Sequence, residues 1–412
     1  MKKAIFLLIV FFAETTFAQD NSLTIGGEFR TKALLDMGYK APKEYFDAPV
    51  FSISQRTRLN AEFQNKKITG YISMQDVRFW GDDNNYSGSG SFGNSNSLML
   101  CQAWVNIGCT EKSSLKIGRQ QFSYDDQRLL SSRGWNDYQV SYDALLFQRK
   151  DSLFNLDLAL SYNSESSKNN LLDPIKFKTI DFIHLSKDFK NFGVSLISVY
   201  TGKTESSVSE KLIFTSTHGV NFTGLSKKWP FMAAVYYQHN LSDNEKVSAY
   251  CLAMKVGRTF SDNNMKTELG FDYISGNDAT NTGTNHSFDL LYGRRHAYYG
   301  YLDYFSTTPS QGLEDIYLRN TVKISKKFST EITIHSFLLA EEISGGTYDN
   351  NLGQEADLVL KYKFADCANL EAGYSYYFRT NTLDYLKNTE NVDVFPPQFL
   401  YVMLSVKPKF RF

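Results

Sequence analysis

The chain has 412 residues, with 44 basic and 44 acidic side chains, a hydrophobic fraction of 42% and an aromatic fraction of 15%. This balance gives no global basic field and argues against nucleic-acid binding. The hydrophobic fraction is low for a helical membrane protein, and past the first residues no run of about 18 apolar residues offers a transmembrane helix.

The chain opens on Lys2 and Lys3, followed by an apolar stretch from Ala4 to Phe12 that is too short to span a bilayer. Thr16-Phe17-Ala18 then places small residues at the positions that direct cleavage, so residues 1–18 read as a secretory leader and Gln19 as the mature start. No cysteine lies near that point to carry a lipid. Loss of Lys2, Lys3 and Glu14 leaves 42 basic and 43 acidic residues, so any attraction for an anion must be local.

From there to the C-terminus the chain reads as a succession of about eighteen strands. Successive side chains of a strand point to opposite faces. The first strand sets Leu23, Ile25, Phe29, Ala33 and Leu35 against Glu28, Arg30, Lys32 and Asp36. Leu156, Leu158, Leu160 and Tyr162 alternate with Asn155, Asp157, Ser161 and Asn163. Ala356 to Phe364 and Leu370 to Phe378 repeat the pattern. The segments around His218 and Val235 do not alternate cleanly. The last strand sets Leu400, Val402, Leu404, Val406, Phe410 and Phe412 on one parity, and the chain ends on that phenylalanine.

Connections alternate between short and long. The short ones fall at 65–66, 110–114, 150–152, 188–191, 226–229, 261–264, 326–329 and 365–368. The long ones fall at 38–50, 81–97, 122–138, 164–176, 276–312, 342–351 and 381–397, with two briefer outer connections near 202–209 and 241–245. Short turns on one side and long loops on the other are the signature of an outer-membrane β-barrel. Aromatic residues gather at strand ends: Phe79-Trp80, Tyr273 and Tyr376-Tyr377-Phe378 at one rim, and Trp229, Phe231, Phe260 and Phe364 at the other. Strands of about ten residues or more argue against a β-sandwich, and no fixed period suggests a solenoid. The expected fold is all-β, a transmembrane antiparallel barrel formed by residues 19–412. Cys101 and Cys109 lie roughly 26 Å apart along one strand and cannot bridge. No cysteine spacing suits a zinc site, and no cofactor is called for.

Two segments carry more than periodicity. One is Gly118-Arg119-Gln120-Gln121-Phe122-Ser123-Tyr124-Asp125-Asp126-Gln127-Arg128, followed by Trp135 and Ser141-Tyr142-Asp143-Ala144. The other is Phe288-Asp289-Leu290-Leu291-Tyr292, followed by His296, Gly300, Asp303, Tyr304 and Phe305. With the looser Gln75-Asp76-Val77-Arg78-Phe79-Trp80-Gly81, they resemble the alginate export family of outer-membrane proteins, in order over most of the chain. The resemblance implies an 18-stranded monomeric barrel whose narrow, arginine-rich lumen passes a polyuronate. A plug built on a long periplasmic turn, known in the family, has no counterpart among the short turns here. The terminal Phe412 likewise resembles the C-terminal phenylalanine by which the outer-membrane assembly machinery recognises its barrels.

On this reading the partners are outer-membrane lipid, the assembly machinery and an anionic saccharide as transported solute. Arg, whose planar fork bonds both oxygens of a carboxylate, is the residue to line such a pore. The inward-facing candidates are Arg30, Lys32, Arg56, Arg58, Arg319, Lys323, Lys361 and Arg379, with Arg78, Arg119 and Arg128 added from the family-like segments. Asp76, Asp126 and Asp143 accompany them, and Arg78 faces inward only if a bulge shifts the parity of its strand. Asp289, Arg294, Arg295, His296 and Asp303 sit in the longest outer connection, which can fold inward and narrow the pore. The competing roles are a general diffusion porin, a barrel enzyme and an adhesin. For an enzyme, the six histidines show no recognisable Ser–His–acid arrangement.

Overall fold

The computed structural model describes residues 21–81, 98–164, 176–240, 246–260, 264–280 and 283–412; the leader 1–18 lies outside them, as do most of the connections at 81–97, 164–176 and 241–245. These residues form a closed antiparallel barrel of eighteen long strands. In chain order they are β1 (Ser22–Met37), β2 (Val50–Gln64), β3 (Ile68–Phe79), β4 (Met99–Gly108), β5 (Ser113–Gln120) and β6 (Tyr142–Lys150). Then come β7 (Asn155–Tyr162), β8 (Phe177–Asp188), β9 (Phe192–Ser206), β10 (Ser209–Gly224), β11 (Phe231–Asn240) and β12 (Lys246–Phe260). The last six are β13 (Met265–Ile274), β14 (Leu313–Lys323), β15 (Phe328–Leu338), β16 (Asn351–Ala365), β17 (Ala368–Arg379) and β18 (Gln398–Val406). Each strand pairs with its neighbour in sequence, and β1 closes the wall on β18, with Arg30 opposite Ser405. Closure removes the sheet edges and satisfies every wall strand on both sides.

The burial pattern separates the two faces. On β1, Glu28, Arg30 and Lys32 are buried while Leu23, Ile25 and Phe29 are exposed, so the polar set faces the lumen and the apolar set faces outward. The same holds on β16, where Glu355 and Asp357 face in and Leu358 and Leu360 face out. The short turns lie at the end where β1 begins and the chain reaches Phe412, which is the periplasmic end.

Four features depart from the sequence expectation. Strands β5 and β7 have 8 residues each, shorter than expected. The expected loop at 202–209 is instead strand, with β9 and β10 continuing until only two residues separate them. The terminal strand is broken at Lys407-Pro408, because proline has no N–H to give the ladder, and resumes at Lys409–Arg411 against β1. Finally, the lumen is not lined by polar groups all round. From β8 to β12 the inward residues include Ile180, Phe182, Ile197, Val199, Ala234, Ala249 and Ala253, all buried. They form one core with Phe122, Leu129, Leu130, Phe288, Leu290, Tyr299 and Leu302 from two outer connections that fold into the barrel. A six-residue helix, α1 (Asn381–Leu386), capped by the Thr380 side chain, lies in the last of the long connections.

Candidate functional site

The inward connections are residues 121–141, between β5 and β6, and the described residues of 275–312, between β13 and β14. They contain most of both family-like segments, and the barrel wall holds each by its own residues. In the first, Asp125 receives three wall groups: His184 Nε2 at 2.9 Å, Ser195 Oγ at 2.5 Å and Asn221 Nδ2 at 3.2 Å. Asp126 accepts from Tyr236 at 3.2 Å. Arg128 is fully buried and donates to Asp126 (2.6 Å), to Asp272 of β13 (2.8 Å) and to the Tyr299 hydroxyl (2.9 Å). Its guanidinium also lies 4.0 Å from the centre of the Tyr298 ring. A guanidinium so enclosed is a clamp. Two of its partners belong to the second connection, so it ties both loops to β13.

The second connection runs alongside the first. Leu130 bridges to Tyr292, Tyr292 N donates to the Leu129 carbonyl (3.0 Å) and Arg294 N to the Gln127 carbonyl (2.8 Å). It reaches the far wall at Leu302, whose N–H donates to Glu355 at 2.7 Å. Gly300 precedes that contact with φ of +79°, and a Cβ there would fall 2.3 Å from the Glu355 carboxylate. Only glycine accepts both the backbone conformation and the approach. Asp303 binds His296 (2.7 Å) and the Tyr39 hydroxyl (2.6 Å), and the His296 ring stacks on Trp135 at 4.1 Å.

Across the lumen the tip of the first loop meets charge instead of an apolar surface. Arg30 donates to the Gly134 carbonyl (2.8 Å), the Asn136 carbonyl (3.1 Å) and the Asp137 carboxylate (2.6 Å). Arg56 donates to the Asn136 carbonyl (2.8 Å) and to Glu28 (2.7 Å). Arg58 is held by Gln75 and Glu28. Lys32 lies 3.6 Å from Asp137 and 4.4 Å from the centre of the Trp135 ring. Burial alone would raise the Asp137 pKa, but Lys32 and Arg30 overcome it and hold the carboxyl below its usual range.

Where the two loops approach β1, β3 and β18 they leave a cavity of about 510 Å³. Lys32, Lys40, Arg133, Arg294 and Arg295 line it with the aromatic residues Tyr39, Trp135, Tyr138 and Phe399, and its two acids are Asp137 and Asp303. Both acids are already engaged. Arg133 gives three contacts to the carbonyls of Leu291, Tyr292 and Gly293, and Arg295 binds the Ser306 carbonyl at 2.6 Å and Asp289 at 3.3 Å. Arg294 is exposed, and its side chain has no hydrogen bond or ion pair among the described residues. The Lys40 ammonium lies 5.3 Å from the centre of the Tyr39 ring and has no hydrogen bond or ion pair among the described residues. At the opposite end, Lys323, Lys361, Lys363 and Lys407 line a second cavity of about 610 Å³.

Four residues expected in the lumen lie on the outward face. On β3, Gln75 and Val77 are buried toward the lumen, so Asp76 and Arg78 point out and pair with each other at 2.6 Å. The bulge needed to turn Arg78 inward is absent from β3; the extra residue lies on β4, where Cys101 interrupts the register between Gln102 and Leu100. Arg119 and Asp143 oppose each other on the outward face of β5 and β6 and form a forked pair at 2.9 and 2.7 Å, with Tyr142 and Gln120 taking the inward positions. Arg56, Arg58, Arg319 and Arg379 do face inward. Arg319 contacts Thr333 (3.2 Å), and Arg379 is bound to Asp384 of α1 (2.6 Å). Lys40, Arg133 and Trp135 complete the cavity, and periodicity does not reach them because they sit in loops.

Three of the histidines make contacts from the wall strands. His184 and Ser195 both bind Asp125, so neither stands as base beside the other. His218 meets Ser198 and His239 meets Ser216, each at 2.9 Å, on the outward face.

A barrel of eighteen strands, with long connections folded into its lumen, defines an outer-membrane channel of the porin class. The sequence model for alginate export matches residues 16–391, and the chain belongs to the alginate export family. No curated protein sequence matches it. Among solved structures, it is similar to OccAB4 of Acinetobacter baumannii (TM-score 0.64, 11% identity, covering 95% of this chain and 99% of that one). It is also similar to OccK11 of Pseudomonas aeruginosa (TM-score 0.61, 10% identity, 95% and 96%) and to OpdK of the same organism with vanillate (TM-score 0.59, 8% identity, 94% and 99%). These likenesses establish the fold.

Proposed function

We propose that the protein is a passive channel for anionic oligosaccharides, uronates in particular, and reaches the outer membrane after loss of residues 1–18. The observation that carries this reading is the outer cavity. Its five basic side chains stand against two acids that are already bound, and Arg294 and Lys40 remain available. A uronate would place its carboxylate on a guanidinium or ammonium and the apolar face of its ring on Tyr138, an exposed aromatic of the cavity. The lysines of the inner cavity give the same sign of field at the other mouth. Each contact is weak and partly screened, as flux requires. The arginines that line the wall are mostly committed to holding loops, so selectivity falls to loop residues.

Planar-bilayer reversal potentials test this. Lys40→Gln with Arg294→Gln is expected to move the channel toward equal passage of cations and anions, while Arg78→Gln with Arg119→Gln leaves selectivity unchanged. Unchanged selectivity in the first pair contradicts the reading. The same cations suit a small carboxylate, and one structural neighbour was solved with vanillate. Liposome swelling separates the two: the proposal expects oligo-uronates to enter faster than neutral sugars of equal length, and entry of small aromatic acids alone favours the second reading.

A further inference from the structure

The chain is neutral as a whole but strongly polarised along the barrel axis. The described stretches that close the periplasmic end (residues 65–67, 109–112, 149–154, 187–191, 225–230, 258–260, 264–266, 323–327, 361–367 and 407–411) contain nineteen of the 44 basic residues and four of the 44 acidic ones. Part of that excess faces the inner mouth of the lumen. The rest has another address. Arg149, Lys187 and Arg258 stand opposite Leu156, Val194 and Thr267, which places them on the outward face of the wall. Each has its charged head over an aromatic ring of the same rim: Arg149 is 5.8 Å from the centre of Phe154, Lys187 5.3 Å from Phe189, and Arg258 4.7 Å from Trp229 and 4.9 Å from Phe260. Trp229, Phe260 and Phe189 are themselves exposed. Lys227 and Lys228 immediately precede Trp229 in the same turn.

The geometry points to an anion-binding collar on the outer side of the periplasmic rim, along β6 to β13, that takes the phosphates of anionic phospholipids in the inner leaflet. An aromatic ring at the membrane interface with a cation beside it presents an apolar body to the acyl chains and a charge at headgroup depth. A soluble polyanion would need the charges gathered on one accessible patch. Here they follow the rim from turn to turn and keep company with lipid-facing aromatics, as a membrane plane requires. Each basic residue near such a surface contributes on the order of 1 kcal/mol, roughly a five-fold preference.

The test is lipid retention by the purified full-length barrel in phosphatidylcholine nanodiscs doped with phosphatidylglycerol. The wild type should enrich phosphatidylglycerol in its bound annulus, and Lys187→Gln/Lys227→Gln/Lys228→Gln/Arg258→Gln should lose that enrichment at least about five-fold. Arg78→Gln/Arg119→Gln, at the other rim, should keep it. Should the quadruple variant fail to assemble, Lys227→Gln/Lys228→Gln alone, confined to an exposed turn, is expected to halve the enrichment or more. Equal retention of both lipids by the wild type, or an enrichment that survives the assembled variants, overturns the proposal. So does its abolition by millimolar inorganic phosphate or soluble polyglutamate, which would mean a site for free anions.

Discussion

One inward loop is held on two sides of the lumen by different physics. Toward β8–β13 the base of the first loop is packed against an apolar wall and fixed by Arg128, which is sealed between Asp126 and Asp272. Toward β1 and β2 the tip of the same loop is held by Arg30, Arg56 and Lys32 through backbone carbonyls and Asp137. The first attachment is dry and depends on shape. The second is partly open to water, depends on charge, and borders the cavity where we place the solute. The loop therefore combines a rigid base with a tip that conditions can loosen.

The largest effect should come from the dry side. Arg128→Met leaves Asp272 as a buried carboxylate without its partner, a loss on the order of 3–5 kcal/mol. Local opening of residues 121–141, read by hydrogen exchange or limited proteolysis, should increase by at least about a hundred-fold, while the barrel itself still resists SDS until boiled. Opening unchanged from the wild type would mean the clamp is redundant.

A smaller effect is expected on the charged side. Asp137→Asn removes the ion pairs with Arg30 and Lys32 and should cost about 1–2 kcal/mol of local stability, visible as mobility of the tip alone. The sign with pH follows from the depressed Asp137 pKa. The carboxylate contributes stability in full above its unfolded pKa, and the contribution is lost as pH falls through the lower folded value. Tip mobility in the wild type should thus rise in acid and match the Asp137→Asn variant there. A difference that persists below the folded pKa would place the stabilisation elsewhere.

The same contrast explains what could be read from the chain before its structure. Where the lumen face is polar, as on β1, β2, β16 and β17, alternation is clean and the inward residues follow from parity. Near His218 and Val235 the inward positions Gly219, Ala234 and Tyr236 are apolar or small because a loop packs on them, and His218 points outward; both faces then look alike and the period is lost. The family-like segments were visible as sequence, but the parts of them that are loops carry no periodicity to orient a side chain. Arg128 and Arg119 are nine residues apart, yet one is sealed inside the lumen and the other lies on the outward wall. Arg78 faces outward for a further reason, since the bulge falls on the neighbouring strand. The cavity residues Lys40, Arg133 and Arg294 come from separate loops, and nothing in their spacing brings them together.

On the proposed function, the inward loops rather than the wall set the aperture. Single-channel conductance of the wild type against Arg128→Met, recorded in planar bilayers at one salt concentration, tests it most directly. A small conductance is expected for the wild type, and openings several-fold larger, with weakened anion preference, once the clamp is gone. Equal conductance in an assembled Arg128→Met barrel, with its loop shown to be released, would contradict it.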